Sequence, residues 1–359
     1  MPSKPINIGF FPNWSVDNPY QKRLAGGLEG QSCAVSFLDY PQAALPLNKA
    51  IAAHPELDVL HLHWIAPYLD IHHLFWSKSP LKRALRLAKI GVDLALVRLK
   101  GKRLVWTVHN VMSHESRDRA LELRVRHLIG FFAHRIILHS PSALELICQT
   151  YGVSWQGKAA ITPHASYGGA YAEDPARQAA LQKELGLEDG NVVFMFIGAV
   201  RPYKGVDTLV ETFQRLAAPQ ARLIIAGRCT DDALTAEIEA AAQADPRIIA
   251  RLGFVPDADI SPLLNLASVM VLPFVNTLTS GSALLAMTYG KPLILPERAR
   301  VFDVPGDEGA LYFEDSAFLV TLEKAMEMDM AQMGAFNRSL CASLTWESMA
   351  AKTREAYVG

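Results

Sequence analysis

The feature that most constrains this chain is a rhythm in its apolar residues. Short runs rich in Ile, Val, Leu and Phe alternate with longer segments of helical spacing, and the pattern runs twice. In the first half, strands are expected at Ile6–Phe11, Ala34–Leu38, Val59–His63, Arg103–His109 and Arg135–His139. Helices are expected near Gln42–His54, Leu81–Leu99, Ser116–Phe131 and Pro141–Tyr151. In the second half, strands fall at Val192–Gly198, Ala221–Gly227, Ile248–Leu252, Val269–Leu272 and Pro292–Leu295. Helices alternate with them at Asp207–Ala217, Asp231–Ala244, Asp257–Ala267, Ser282–Tyr289 and Ser316–Met328. Strands that alternate with helices form βαβ units and parallel sheets, so the fold class is α/β with two Rossmann-like domains. Ligands are expected at the carboxyl ends of the strands, in a cleft between the two sheets.

A length of 359 residues suits two domains at about 150 residues each. The turn-rich stretch Ser166–Pro175 is the best linker. That gives domains 1–165 and 166–345, followed by a helix in 346–359 expected to pack back on the first. Half the residues are hydrophobic and net charge is -1, which excludes a disordered chain. No apolar run reaches the roughly 18 residues of a membrane span. The first residues lead directly into Ile6–Phe11, which reads as a strand rather than a signal peptide. Cys33, Cys148, Cys229 and Cys341 are far apart, which argues against a disulfide scaffold or cysteine zinc site and suits a reducing compartment.

The neutral total hides an asymmetry. Residues 1–165 hold 19 Lys and Arg against 11 Asp and Glu, whereas 166–359 hold 16 against 25. All 11 histidines lie in the first part. A basic half needs an anionic partner such as a phosphorylated ligand, nucleic acid or a membrane surface.

The strongest motif, Gly198-Ala199-Val200-Arg201-Pro202-Tyr203-Lys204-Gly205-Val206-Asp207, follows a strand directly. Gly198 permits a turn, Pro202 stiffens it and Gly205 opens the next helix. Arg201 and Lys204 place fixed positive charge where a diphosphate leaving group would sit. A second motif, Asn276-Thr277-Leu278-Thr279-Ser280-Gly281-Ser282, precedes the apolar run Ala283–Met287. Thr279, Ser280, Gly281 and Ser282 leave backbone N–H groups open at a helix start, as an anion site requires, although plain N-capping uses the same residues. Arg228 is a third cation at a strand end. Phe254 and Val255, after Gly253, either wall a base pocket or belong to the core.

These two motifs, with Gly290-Lys291-Pro292, resemble the donor-binding half of GT-B glycosyltransferases. Leu60-His61-Leu62-His63-Trp64, Trp106-Thr107-Val108-His109-Asn110, His114-Glu115, Pro163-His164 with Tyr167 and Tyr171, and Asn18-Pro19-Tyr20-Gln21 extend the likeness. Together they resemble bacterial exopolysaccharide glycosyltransferases of the β-1,4-mannosyltransferase-like branch, which implies a GDP-mannose donor. The related retaining family carries two glutamates with seven residues between them. Thr277 and Leu285 occupy those positions here, which favours an inverting mechanism or donor contacts rebuilt from Thr279–Ser282.

The resemblance implies an acceptor and a catalytic base in the first domain, where a carboxylate or histidine takes the acceptor proton. Asp17, His109 and Glu115 are the candidates, and His109 matches a family histidine beside the donor sugar. Each also has a plainer reading: a turn carboxylate, a core histidine and a helix-start residue. His61 and His63 share a strand face, and His72 and His73 are adjacent, but no spacing implies a complete metal site. No metal or cofactor is therefore expected, with fixed cations in its place.

Between Lys78 and Arg103 lie nine Lys and Arg and one acid, Asp93. Leu81, Leu85, Ala88, Val92, Ala95, Leu96 and Leu99 recur at helical spacing there. Such a helix either packs with a solvated basic face or lies on an anionic membrane, where a lipid-linked saccharide acceptor would be found. The expected place is the inner face of the plasma membrane, peripherally, in the cytoplasm. Nucleic acid is not expected, since basic residues are not interleaved with aromatics in a recognisable module. Two other readings remain at this point: a nucleotide-sugar epimerase of similar fold, and a non-catalytic nucleotide-sugar-binding protein at the membrane.

Overall fold

The computed structural model describes residues 4–16, 19–72, 79–113, 118–275 and 277–359. The chain divides into two units, Met1–His164 with Thr345–Gly359, and Ala165–Leu344.

The first unit runs β1 (Ile6–Phe11), α1 (Pro19–Glu29), β2 (Cys33–Phe37), α2 (Pro46–Ala53), β3 (Val59–Leu62), α3 (Ala66–Ile71) and α4 (Pro80–Leu99). It continues with β4 (Arg103–Thr107), α5 (Arg119–Phe132), β5 (Arg135–Leu138), α6 (Pro141–Tyr151) and β6 (Ala159–Ile161). The six strands are parallel in the order β2-β1-β3-β4-β5-β6. Strand β3 is buried along its whole length, as a parallel strand covered on both faces must be. Its register puts His61 beside Phe10 on one side and Val105 on the other. Strand order reverses at β1 and β3, so the ligand crevice of a doubly wound sheet belongs at their carboxyl ends.

Local chemistry explains where the helices start. Ser140 caps α6 by accepting from the Ala143 N–H, with Pro141 at its first position and Gly152 left-handed at its end. Asp118 caps α5 through Leu121, which moves its start to Arg119 from the expected Ser116. Helix α2 starts at Pro46 rather than Gln42, because proline fits only a first helical turn. Its first amides are capped from elsewhere: the Leu47 and Asn48 N–H groups donate to Asp93 of α4, both at 3.1 Å. Asp93 also accepts from Tyr68 Oη at 3.0 Å and from Asn48 Nδ2 at 2.8 Å. Burial lifts its carboxyl above the usual range, and these donors hold it back.

Helix α4 differs from its apolar pattern. Its packed face is Ile90, Asp93, Leu94 and Val97. Leu81, Leu85, Val92 and Leu99, the stripe that reads as the buried side, are 69, 62, 50 and 80% exposed.

The second unit runs α7 (Pro175–Glu184), β7 (Val192–Ile197), α8 (Val206–Gln214), β8 (Ala221–Ala226), α9 (Asp232–Ala244) and β9 (Ile248–Arg251). It continues with α10 (Asp257–Leu266), β10 (Val269–Val271), α11 (Gly281–Thr288), β11 (Leu293–Pro296), β12 (Ala310–Phe313), α12 (Phe318–Glu327) and α13 (Met330–Ala342). Its strands are parallel in the order β12-β11-β10-β7-β8-β9. Counted from β7, that is the 3-2-1-4-5-6 order of dinucleotide-binding folds, with its reversal between β7 and β10.

The chain ends in a helix, Trp346–Val358, that belongs to the first unit and packs on α1 and on the β4–β6 side of that sheet. Gly27 of α1 makes the approach feasible, since a Cβ there would lie 2.8 Å from the Trp346 carbonyl oxygen.

Candidate functional site

In the second unit, the two sequence motifs meet at the switch point. The motif after β7 turns at Gly198, whose φ of 135° excludes most side chains. A Cβ on Gly198 would lie 3.2 Å from Ser282 Oγ at the start of α11. Gly227, at the end of β8, has φ 147°, and a Cβ there would overlap the Gly198 carbonyl. The loop is held from the other side as well. Val275 donates to the Tyr203 carbonyl at 3.0 Å, and a Cβ on Gly205 would overlap the Pro273 carbonyl. Glycine at 198, 205 and 227 thus lets three backbone segments close to contact.

Arg201 is exposed at the tip of this loop and Lys204 is partly buried. Lys204 Nζ lies 4.6 Å from the centroid of Phe274 and 5.4 Å from that of Tyr203. Burial, with the Arg201 charge as a second cause, pushes its pKa down to about 8. A cation that has no carboxylate partner among the described residues, beside a second cation, gains most when a divalent anion arrives.

At the start of α11, Ser280 Oγ accepts from the Ala283 N–H at 3.1 Å, so this hydroxyl serves as the N-cap. Gly281 and Ser282 follow in the first turn, where N–H groups have no intrahelical acceptor. Thr279 is half-buried, and its carbonyl accepts from Thr277 Oγ1 at 2.8 Å. Tyr167 Oη stands 3.0 Å from where a Gly281 Cβ would be, a neighbour that sequence spacing alone did not assign to this helix tip. Asn276 lies outside the described residues.

Arg228 is exposed, and its carbonyl accepts from the Val200 N–H at 2.9 Å, which fixes it alongside the glycine loop. Phe254 is 81% exposed and so is not core; it stands in the segment after β9 with Val255 half-buried behind it. An exposed ring at a strand carboxyl end can stack on a planar base.

In the first unit, the carboxyl edge carries a buried histidine cluster. His61, His63, His109, His139 and His164 are each at most 9% exposed. Strand β4 ends at Thr107, so His109 sits in the segment beyond the strand rather than at its end. His61 is held at both nitrogens, by Tyr357 Oη and Thr107 Oγ1, both at 2.7 Å. His63 Nδ1 and His109 Nε2 are 3.2 Å apart. His139 Nδ1 donates to the Thr162 carbonyl at 2.8 Å. Burial holds all four rings neutral: His61 falls to about 3, His139 to about 4, and His63 and His109 well below the usual value. The Trp64 ring stacks on His109 at 4.3 Å with 12° between planes, and Trp14 stacks on Trp64 at 4.7 Å. These two tryptophans follow β3 and β1, where strand order reverses. Asp17 and Glu115, the carboxylate candidates, lie outside the described residues. Among the described residues, no group of three His, Cys, Asp or Glu side chains is placed to hold a metal ion.

The segment after His109 is anchored by a buried ion pair. Glu122 accepts from Arg126 Nη2 at 2.6 Å and from both the backbone N–H and the hydroxyl of Ser113 at 2.8 Å. Arg126 donates in turn to the Asn110 carbonyl and Tyr151 Oη, both at 3.0 Å. Tyr151 Oη donates to the Val111 carbonyl. Three backbone groups of residues 110–113 thus end on one buried cluster, for which the sequence offers only the Glu122–Arg126 spacing as a signal.

Comparisons with known proteins place this geometry. The family model described as Glycosyl transferases group 1 matches residues 191–327, from β7 to α12. A GDP-mannose:glycolipid 4-beta-D-mannosyltransferase from Xanthomonas campestris pv. campestris is 24% identical over 247 residues, covering 67% of this chain and 61% of the relative. Among solved structures, Anabaena HepE in complex with UDP aligns over 99% of both chains with a TM-score of 0.73 and 14% identity. Sucrose-phosphate synthase from Thermosynechococcus elongatus aligns over 99% of this chain and 98% of its own, with a TM-score of 0.76 and 15% identity. The chain thus has the GT-B fold, matches the group 1 glycosyl transferase model within its second unit, and resembles the mannosyltransferase branch of GT-B glycosyltransferases.

Proposed function

We propose that this chain is a glycosyltransferase that moves a sugar from a nucleoside diphosphate sugar to a lipid-linked glycan acceptor. The observation that carries this reading is the contact between the Gly198–Gly205 loop and the α11 start, with Arg201 and Lys204 on the loop. As the bond between the anomeric carbon and the diphosphate breaks, negative charge grows on the leaving oxygen. Fixed cations and helix-tip amides stabilise that charge without proton transfer and without a metal. Arg228 adds charge beside them, and Phe254 and Val255 hold the base. In this reading the second unit binds the donor and the first unit the acceptor.

GDP-mannose is the donor we favour, on the strength of the Xanthomonas relative's name. Inversion follows from Thr277 and Leu285 standing in place of the retaining family's glutamates, and the β linkage in that name fits it. An inverting transfer needs a base for the acceptor hydroxyl. Asp17 and Glu115 are the better candidates, because burial has stripped His109 of basicity. His109 is then a polar contact to the sugar.

The exposed leucines of α4 support a membrane site. No helix among the described residues is long and apolar enough to cross a membrane. Leu81, Leu85, Val92 and Leu99, flanked by Lys82, Arg83, Arg86 and Lys89, suit the surface of an anionic bilayer. The groove between α4 and α5, lined by Ala88, Gly91, Leu128 and Phe131, continues that apolar surface. Peripheral attachment to the cytoplasmic face of the plasma membrane, in exopolysaccharide synthesis, is the setting we infer.

A thermal-shift panel of GDP-, UDP- and dTDP-sugars tests the donor, with GDP-mannose expected to stabilise most. Transfer by Arg201→Ala and Lys204→Ala tests the clamp: losses of about 10²-fold or more are expected, and near wild-type turnover refutes it. Turnover should survive EDTA, and the product's anomeric proton coupling reports inversion.

A further inference from the structure

We propose that His63 is a positioning residue that fixes the tautomer of His109, so that His109 offers Nδ1–H, a hydrogen-bond donor, to its ligand. The tautomer rests on the first unit alone; the identity of the ligand, a sugar or acceptor hydroxyl oxygen, rests on the transferase reading above.

His63 Nδ1 and His109 Nε2 share one hydrogen bond of 3.2 Å between ring centroids 5.5 Å apart, with 27° between planes. One nitrogen donates and the other accepts, and both rings are neutral, so only two arrangements exist. If His109 donates, the single proton of His63 must sit on Nε2. That atom is buried and has no hydrogen-bond partner, in a ring whose centroid lies 4.6 Å from that of Phe10 and 5.7 Å from that of Tyr20. A buried N–H without an acceptor is the costlier orphan. If His63 donates, Nε2 is left as a bare acceptor among aromatic rings, the cheaper state. His139 shows the same choice: its Nδ1–H is committed to the Thr162 carbonyl, and its buried Nε2 is left as an unpartnered acceptor. The cluster leaves spare lone pairs inside rather than spare protons.

With Nε2 accepting, the proton of His109 is on Nδ1. Among the described residues no side chain bonds that nitrogen. Trp64 stacked on one face and Tyr20 edge-on at 5.0 Å fix the direction in which it points. The ring is thus a directed donor and a poor base, because its only lone pair is engaged. A hydroxyl oxygen on the ligand is what it can hold. His61 lies in the row behind and backs this arrangement: its ring stacks on that of His63 at 4.1 Å while both its nitrogens are bound elsewhere.

The test is nitrogen-15 NMR of the histidine rings in the full-length protein, with His109 assigned by comparison with His109→Gln. His109 should show a protonated Nδ1 and a bare Nε2. His63→Asn, whose amide N–H replaces the Nδ1–H, should keep that pattern. His63→Leu should move the proton to Nε2 or mix the two forms. Transfer kinetics supply the second readout: kcat should fall about tenfold in His63→Leu, one hydrogen bond's worth, and recover in His63→Asn, with circular dichroism confirming that both fold. A wild-type spectrum with Nε2 protonated, or a His63→Leu spectrum unchanged at His109, overturns the proposal. If the wild type transfers no sugar at all, the transferase reading fails while the nitrogen shifts still decide the tautomer.

Discussion

The two units are built on the same plan, six parallel strands between helices, yet their ligand-facing edges are made of opposite chemistry. The second unit crowds glycines at its switch point, so that main chain touches main chain, with Arg201 and Lys204 carried on the same loop. The first unit fills its edge with neutral imidazoles and indoles, buried and stacked. One edge is designed around a fixed excess of positive charge; the other removes charge and keeps only directed hydrogen bonds. The strand orders differ to match, with the reversal between β7 and β10 in one and between β1 and β3 in the other. Net charge runs the other way: residues 1–165 are net basic and residues 166–359 net acidic. Local charge at a site is therefore set by its loops, not by the sign of the domain.

Acid should separate the units most sharply. His61, His63, His109 and His139 have folded-state pKa values far below the unfolded value near 6.5, so the unfolded chain binds protons first as pH falls. Their stabilisation is whole above about pH 6.5 and declines below it, by up to about 1.4 kcal/mol per pH unit for each ring. Hydrogen exchange at pH 5 should show the first unit opening while the second stays protected. If the second opens first, the contrast is wrong. Breaking the buried pair with Arg126→Met comes next. It removes the Arg126 charge from beside the buried Glu122 carboxylate, and should cost about 3–5 kcal/mol in urea unfolding. The reciprocal change, Glu122→Gln with Arg126→Met together, should recover much of that loss.

Lys204→Met should do the opposite of Arg126→Met. Removing a buried cation whose pKa is already pushed to about 8 should raise the thermal midpoint by a few degrees, about 1 kcal/mol, while nucleotide binding is lost. In the wild type, the affinity for a nucleoside diphosphate should weaken as pH rises through about 8, where the free ammonium loses its proton. A Lys204→Met protein less stable than wild type would mean that its cation–π contacts outweigh its desolvation. The smallest effect on stability, within about 0.5 kcal/mol, is expected from neutralising Lys82 and Lys89, which are exposed on α4. Sedimentation with anionic vesicles should nevertheless be lost, and binding that is insensitive to salt would sever α4 from the membrane.

Much of this contrast was legible in the residues. Runs such as Val192–Ile197 and Arg103–Thr107 announce buried parallel strands, and the glycine-cation motif announces a tight turn by its position after a strand, which the structure has at Gly198. What escaped has physical reasons. Asn18-Pro19 offers a start signal for helix α1, but Gly26 and Gly27 weaken its helical pattern, and Gly27 is there because the C-terminal helix presses against it. Strands β6 and β12 lie at the edges of their sheets, and β6 is half-buried along its length, so neither needs the apolar run of a central strand. The α4 stripe was readable as amphipathic, but not which apolar face would be covered, since Asp93 draws the opposite face inward. His-Leu-His betrays a shared strand face. It cannot betray His109 or Tyr357, which meet it from 46 and 296 residues away. Asp17 and Glu115 rest on sequence alone.

The chain's route has a consequence for how the protein comes into being. Residues 165–344 are interposed within the first unit, whose closing helix, residues 346–358, is translated after all of them. On the ribosome the second unit can finish while the first still waits, its His61 without Tyr357 and its α1 without a cover. The earlier-made half of the molecule is thus the later to mature, and its bare α1 surface is where a chaperone would be expected to wait.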